Sequence, residues 1–173
     1  MLSAMPEFPL TLERIRVRPP KKRHTIMMNK WFECKVKYVK TMENGLDKPV
    51  TETYLVDALS FTEAEKRFLE EIRPFMSGEF EVTGIKPVKF ADVFFCDLES
   101  ADKWFKCKLA FITLDEKSGA EKKSNSSALV QAADLREAIK YLDEQMKGTI
   151  GDYQIAQVTE TTSMDVYPYK AEI

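Results

Sequence analysis

The sequence predicts an α+β protein built from two tandem β-β-α-β repeats. Antiparallel sheet, two helices packed on one face and a pseudo-two-fold relation between the halves complete the expected fold. Three observations lead there. The only two tryptophans open the same string, Trp31-Phe32-Glu33-Cys34-Lys35 and Trp104-Phe105-Lys106-Cys107-Lys108. Each string runs through a glycine turn into a second extended segment. Each then meets a capped amphipathic stretch followed by a long β-type segment.

The first hairpin is expected from the alternation of Trp31 to Lys40, broken at Asn44-Gly45 and resumed from Val50 to Ala58. Asn-Gly suits a type I′ turn, whose two central residues need positive φ. In the second half, Trp104 to Thr113 leads through Ser118-Gly119 to a strand near Ser127 to Ala132.

Helix starts are marked by Ser60 with Glu63 and by Asp134 with Glu137, the spacing of a capping box. Apolar residues follow at helical spacing: Phe61, Ala64, Phe68, Ile72 and Phe75, then Leu135, Ala138, Leu142 and Met146. Pro74 and Gly148 end the helices. Gly78-Glu79-Phe80 and Gly151-Asp152-Tyr153 open the last segments, which close on Asp92-Val93-Phe94 and Asp165-Val166-Tyr167. Pro87 predicts a bend, bulge or edge position in the first of them.

The resulting division is an N-terminal extension over 1–28, a first repeat over 29–95, a linker over 96–102, a second repeat over 103–169 and a tail over 170–173. The extension holds six Lys or Arg against two Glu, leaving 20 basic against 26 acidic residues in the rest. It has no counterpart in the repeats and is expected to be flexible or non-native, with translation starting at Met27 or Met28. Its basic stretches, Arg14 to Arg18 and Lys21-Lys22-Arg23, read as a solvated tail.

Residues 28–169, through MNKWFECKVKYVKTMENG, VTETYLVDALSFTEAE, WFKCKLAFITLDEKSGAEKK and ALVQAADLREA, resemble a family of uncharacterised bacterial and phage proteins. That resemblance implies a small intracellular protein of bacteria, phages or mobile elements. It carries over no activity and no functional residues.

Composition narrows the chemistry. No apolar run approaches the roughly 18 residues that span a bilayer, so no membrane partner is expected. The N-terminus lacks the order of a secretory signal, and the expected compartment is the cytoplasm. Three cysteines in no CxxC or CxxH spacing and a single histidine, His24, speak against zinc sites, disulfide frameworks and histidine catalysis. With no phosphate-loop, nucleophile-elbow or HExxH string, the expectation is a non-enzyme without cofactors or metals. Cys34 and Cys107 read as buried, inert thiols rather than a redox or metal pair. Asp92 and Asp165 recur in matching contexts. Strand ends that accept backbone hydrogen bonds explain them more simply than a paired acid or Mg²⁺ site.

One face of the first strand of each repeat, Phe32, Cys34, Val36 and Tyr38 or Phe105, Cys107, Leu109 and Phe111, is expected under the helices. The opposite face carries Trp31, Glu33, Lys35 and Lys37, mirrored by Trp104, Lys106, Lys108 and Ala110. Trp31, Lys35, Lys37, Trp104, Lys106 and Lys108 are therefore the candidate nucleic-acid-binding residues. Bases would stack on the rings and phosphates meet the ammonium groups of a single strand. Against this stands the ordinary role of lysine as an edge guard and of tryptophan as a lid on an open core end. The rival expectation is a protein-interaction or self-assembly module using sheet edges or the same face. A small-molecule binder would need a pocket between the halves.

Overall fold

The computed structural model describes residues 30–148 and 151–169. The expectations for the N-terminal extension, its basic stretches, His24, the Met27/Met28 start and the tail over 170–173 lie outside the described residues.

The fold is α+β, with two helices and two four-stranded mixed sheets. The chain runs through β1 (Lys30–Thr41), β2 (Asp47–Ala58), α1 (Phe61–Ile72), a 3-10 turn (Arg73–Phe75), β3 (Phe80–Val88) and β4 (Asp92–Phe94). It continues through β5 (Lys103–Leu114), β6 (Glu121–Ala132), α2 (Leu135–Met146), β7 (Asp152–Glu160) and β8 (Ser163–Tyr167).

Both hairpins form as expected, with β1 and β2 antiparallel from Lys30↔Ala58 to Thr41↔Asp47, and β5 and β6 from Lys103↔Ala132 to Leu114↔Glu121. The first turn differs from type I′. Gly45 N–H donates to the Met42 carbonyl at 2.9 Å and Leu46 N–H to Asn44 Oδ1 at 3.1 Å. Five residues, 42–46, span the turn, and Gly45 takes the left-handed conformation at φ 78°. The Asn44 side chain stabilises the loop by accepting that backbone donor.

The sheets are mixed rather than antiparallel, because the last segment of each half divides in two. β3 stays antiparallel to β1, but β4 leaves and pairs parallel with β6, placing Val93 opposite Leu129. β7 stays antiparallel to β5, while β8 pairs parallel with β2, placing Val166 opposite Leu55. The strand orders are therefore β3-β1-β2-β8 and β4-β6-β5-β7, with each short strand completing the sheet made by the other end of the chain. Pro87 sits in the outer strand β3, where its missing N–H costs the ladder nothing on the solvent side.

Each helix covers one face of its own sheet. The side chains of Ser60 and Asp134 accept from the backbone N–H groups of Glu63 (3.2 Å) and Glu137 (2.9 Å), so both predicted caps hold. Ala64, Phe68 and Ile72 pack on Phe32, Cys34, Val36, Tyr54 and Val56. Ala138, Leu142 and Met146 pack on Phe105, Cys107, Leu109, Ala128 and Val130. Tyr38 and Phe111 end these strand faces half-buried.

Three residues assigned to the buried helical faces are instead exposed. Phe61 and Leu135 are the first residues of their helices, where each helix lifts off the sheet, although Phe61 keeps an edge contact with Phe32 at 5.0 Å. Phe75 is 77 % exposed because Pro74 and the 3-10 turn take the chain off the helical phase.

The sheets meet through the faces turned away from the helices. Leu55, Trp104, Leu129 and Val166 form this third core, edged by Trp31, Val88, Phe90, Val93 and Phe95. Alternation explains it: Leu55 lies between helix-facing Tyr54 and Val56, and Leu129 between Ala128 and Val130.

Candidate interaction surface

The candidate face of β1 and β5 is divided between the inter-sheet core and solvent. Trp104 is 2 % exposed, locked edge-on against Phe95 with ring centroids 5.3 Å apart. A ring so enclosed offers no face to a base, which corrects its place in a stacking platform. Its burial follows from β8 and the segment around β4, whose apolar side chains close over it. Trp31 is half-buried at the rim of the same core.

The lysines divide similarly. Lys106 is half-buried, with its ammonium 5.9 Å from the Phe90 ring centroid. Lys35 lies 3.9 Å from the Glu33 carboxylate, which Lys86 of β3 also approaches at 3.8 Å. Lys35, Lys37 and Lys108 are exposed. Beyond the tryptophan ends the two faces carry mostly polar residues, Thr51 and Lys37 on the first sheet and Ser127, Lys108 and Gln157 on the second, while Thr53 and Ala110 on the same faces are buried.

Cys34 and Cys107 are fully buried in separate cores. Burial pushes the Cys34 thiol up to about 12, with a smaller push from the Glu33 carboxylate, and burial alone takes Cys107 to about 11. Both stay protonated and unreactive at neutral pH. Asp92 and Asp165 lie on the outermost strands of different sheets. The Asp165 carboxylate accepts from Val166 N–H at 2.8 Å. Among the described residues no group of three or more His, Cys, Asp or Glu side chains converges as a metal site.

Glu52 accepts hydrogen bonds from the Tyr38 and Tyr54 hydroxyls, each at 2.9 Å, and Tyr167 stacks on Tyr54 with centroids 5.8 Å apart. Burial raises the Tyr54 phenol first and its bond to Glu52 second, while Tyr167 is pushed up to about 12 by burial and then by Asp165, Glu71 and Glu52. These groups finish the open end of the first helical core. An open depression lined by Phe61, Thr62, Glu65, Val82, Gly84 and Ile85 lies between α1 and β3 on one half, not between the halves.

The sheet edges distinguish themselves more sharply than the faces. β4 and β8 are short edges of three and five residues. β3 is long but carries Glu81, Lys86 and Pro87, devices that deter another strand. β7 is equally long and has no charge or proline between Asp152 and Glu160. Tyr153, Ile155 and Val158 turn inward to the α2 core, while Gln154, Gln157 and Thr159 are exposed. A register shift opposite Lys108 and Leu109 leaves Ala156 bulged, as another leaves Thr83 bulged in β3, so bulging does not separate the two edges. The β-type pattern after Gly151 placed β7 as a strand but did not mark it as an edge site. Its missing lysine and proline, set beside Lys86-Pro87, was the available signal.

Residues 30–169 match the family model described as Domain of unknown function (DUF4494). No curated protein matches the chain. No helix among the described residues is long and apolar enough to cross a membrane.

Proposed function

We propose that this chain, which belongs to the DUF4494 family, is a non-enzymatic interaction module that binds an extended protein segment at the outer edge of β7. It acts in the cytoplasm of bacteria or of cells carrying phage or mobile elements. Its body is two β-β-α-β units, over 29–95 and 103–169, related by a pseudo-two-fold axis. Equal hairpin lengths, matched caps and the reciprocal placement of β4 and β8 support that arrangement.

The observation carrying the functional reading is the unguarded β7 edge. An outer strand presents a row of backbone donors and acceptors to any strand laid beside it. Seven residues of β7 separate its two terminal acids, and none of them is charged or a proline, although Ala156 bulges. Strand addition draws affinity from that main-chain row and specificity from alternate side chains.

Gln154→Lys with Gln157→Lys tests the reading by restoring the missing guards on exposed positions. Affinity purification from the native host, with and without nuclease, should retain a protein that survives nuclease and disappears with the double variant. A partner retained by the double variant would sink the proposal.

A second reading, single-stranded nucleic-acid binding, is favoured by exposed Lys35 and Lys37 on the face that carries Trp31, with exposed Lys108 on the other sheet. It calls for salt-sensitive binding of a short oligonucleotide that weakens in a Lys35→Ala/Lys37→Ala/Lys108→Ala variant. No anisotropy change at tens of micromolar and low salt would end it.

A further inference from the structure

We infer that the segment accepted by β7 is a heterologous strand bearing Lys or Arg at its ends, uncharged and alternately apolar and polar between them. This rests on the β7 reading above and names its partner. The acids closing β7 supply the first reason. Asp152 is exposed, and the next residue, Tyr153, donates its hydroxyl to a further acid, Asp143, at 3.0 Å. At the other end the Glu160 side chain is 54 % exposed and lies 3.7 Å from Lys103, an exchangeable surface pair.

Those acids disfavour a second copy of this chain. Antiparallel pairing of two β7 strands about Ala156 sets Asp152 opposite Glu160 twice, and parallel pairing in register sets each acid beside itself. Like charges directly opposite across strands destabilise the pair. A strand with basic ends converts both encounters into attractions. The preference is strongest at the Asp152 end, since Lys103 already balances part of the Glu160 charge.

Between the ends, the two faces of β7 set the alternation. Side chains lying next to Tyr153, Ile155 and Val158 extend the apolar layer at the α2 core. Those on the other side lie next to Gln154, Gln157 and Thr159, whose amides and hydroxyl suit Thr, Asn or Gln.

The test uses fluorescein-labelled nine-residue peptides alternating valine and threonine, one with lysine at both ends and one with glutamate. Against the full chain at low salt, the lysine-ended peptide should bind at least about tenfold tighter, with the gap shrinking as added salt screens the end charges. Asp152→Lys should shrink or reverse the preference, and Gln154→Lys with Gln157→Lys should abolish binding of both peptides while circular dichroism stays unchanged. Equal binding of both peptides, lost in the double variant, overturns the charge requirement and leaves the edge reading standing. Binding that survives the double variant overturns the edge reading itself. A dimer by light scattering that dissociates in the double variant overturns the inference in favour of a second copy.

Discussion

The Tyr141 hydroxyl donates a 2.6 Å hydrogen bond to the carbonyl of Phe95, tying α2 to the first residue after β4. Arg67 does the same for α1, donating at 3.0 Å to the carbonyl of Pro168, the first residue after β8. Both donors are the seventh residue of their helix. A second pair of contacts follows the same logic: Gln131 accepts from Cys96 N–H at 3.0 Å, and Asp57 accepts from Tyr169 N–H at 3.4 Å. Asp57 and Gln131 stand opposite Trp31 and Trp104 in their hairpins. Each crossing strand is thus clasped by the helix and the sheet it joins.

These clasps have measurable strength. Tyr141→Phe removes one part-buried hydrogen bond and should lower stability by about 0.5–1.5 kcal/mol in urea unfolding. Arg67→Ala loses a charge-assisted bond and the stacking of its guanidinium 5.0 Å from the Tyr169 ring centroid, so the larger loss is expected there. Equal stability of both variants and the parent would mean the clasps are incidental.

Removing β8 tests the exchange of strands between sheets. Ending the chain at Thr162 deletes Val166 from the inter-sheet core and uncovers the β2 edge. Hydrogen exchange should accelerate at Thr53 to Val56, in the first half, although the deletion lies more than a hundred residues later in the chain. Faster exchange confined to β7 would contradict the pairing.

The two tryptophans should report different surroundings. Trp104→Ala empties part of the inter-sheet core and should cost about 3–5 kcal/mol. Trp31→Ala, at the half-buried rim, should cost clearly less. In single-tryptophan variants, Trp104 should emit at shorter wavelength and resist acrylamide quenching. Equal quenching of the two would place Trp104 at the surface.

Alkaline pH should destabilise the fold through its buried thiols. In the unfolded chain Cys34 and Cys107 titrate near 9.0, while in the fold they are pushed up to about 12 and about 11. Their folded-state pKa values are raised, so their contribution is intact below pH 9 and falls as pH climbs through 9 toward 12. Tyr54 and Tyr167, also raised by burial, steepen the loss above pH 10. Urea midpoints should fall over this window, and Cys34→Ala with Cys107→Ala should flatten the early part of the decline. In the native protein at pH 8, a thiol reagent should label half-buried Cys96 well before the other two.

Local patterns were legible because they depend on near neighbours in the chain. Alternation put Phe32, Cys34 and Val36 under a helix, Ser60 and Asp134 capped the helices, and glycines at 45 and 119 turned the hairpins. The same alternation assigned Trp104 to the face away from the helix, which is where it lies. It could not say that another sheet would cover that face. Phe61 and Phe75 fitted the helical spacing as well as Phe68, but a helix end and a proline turn placed them outside its contact.

Sequence by itself determined the two hairpins, the two helices after them and the inward faces, since backbone geometry sets periods of 2 and 3.6 whatever lies far along the chain. Tertiary structure alone decided that β4 and β8 pair in parallel with distant strands, that Trp104 is core, and that β7 is an outer strand among the described residues. Those outcomes turn on which apolar surfaces meet across a hundred residues. Burial is non-directional, so periodicity marks which face of an element turns inward but not which distant surface will cover it.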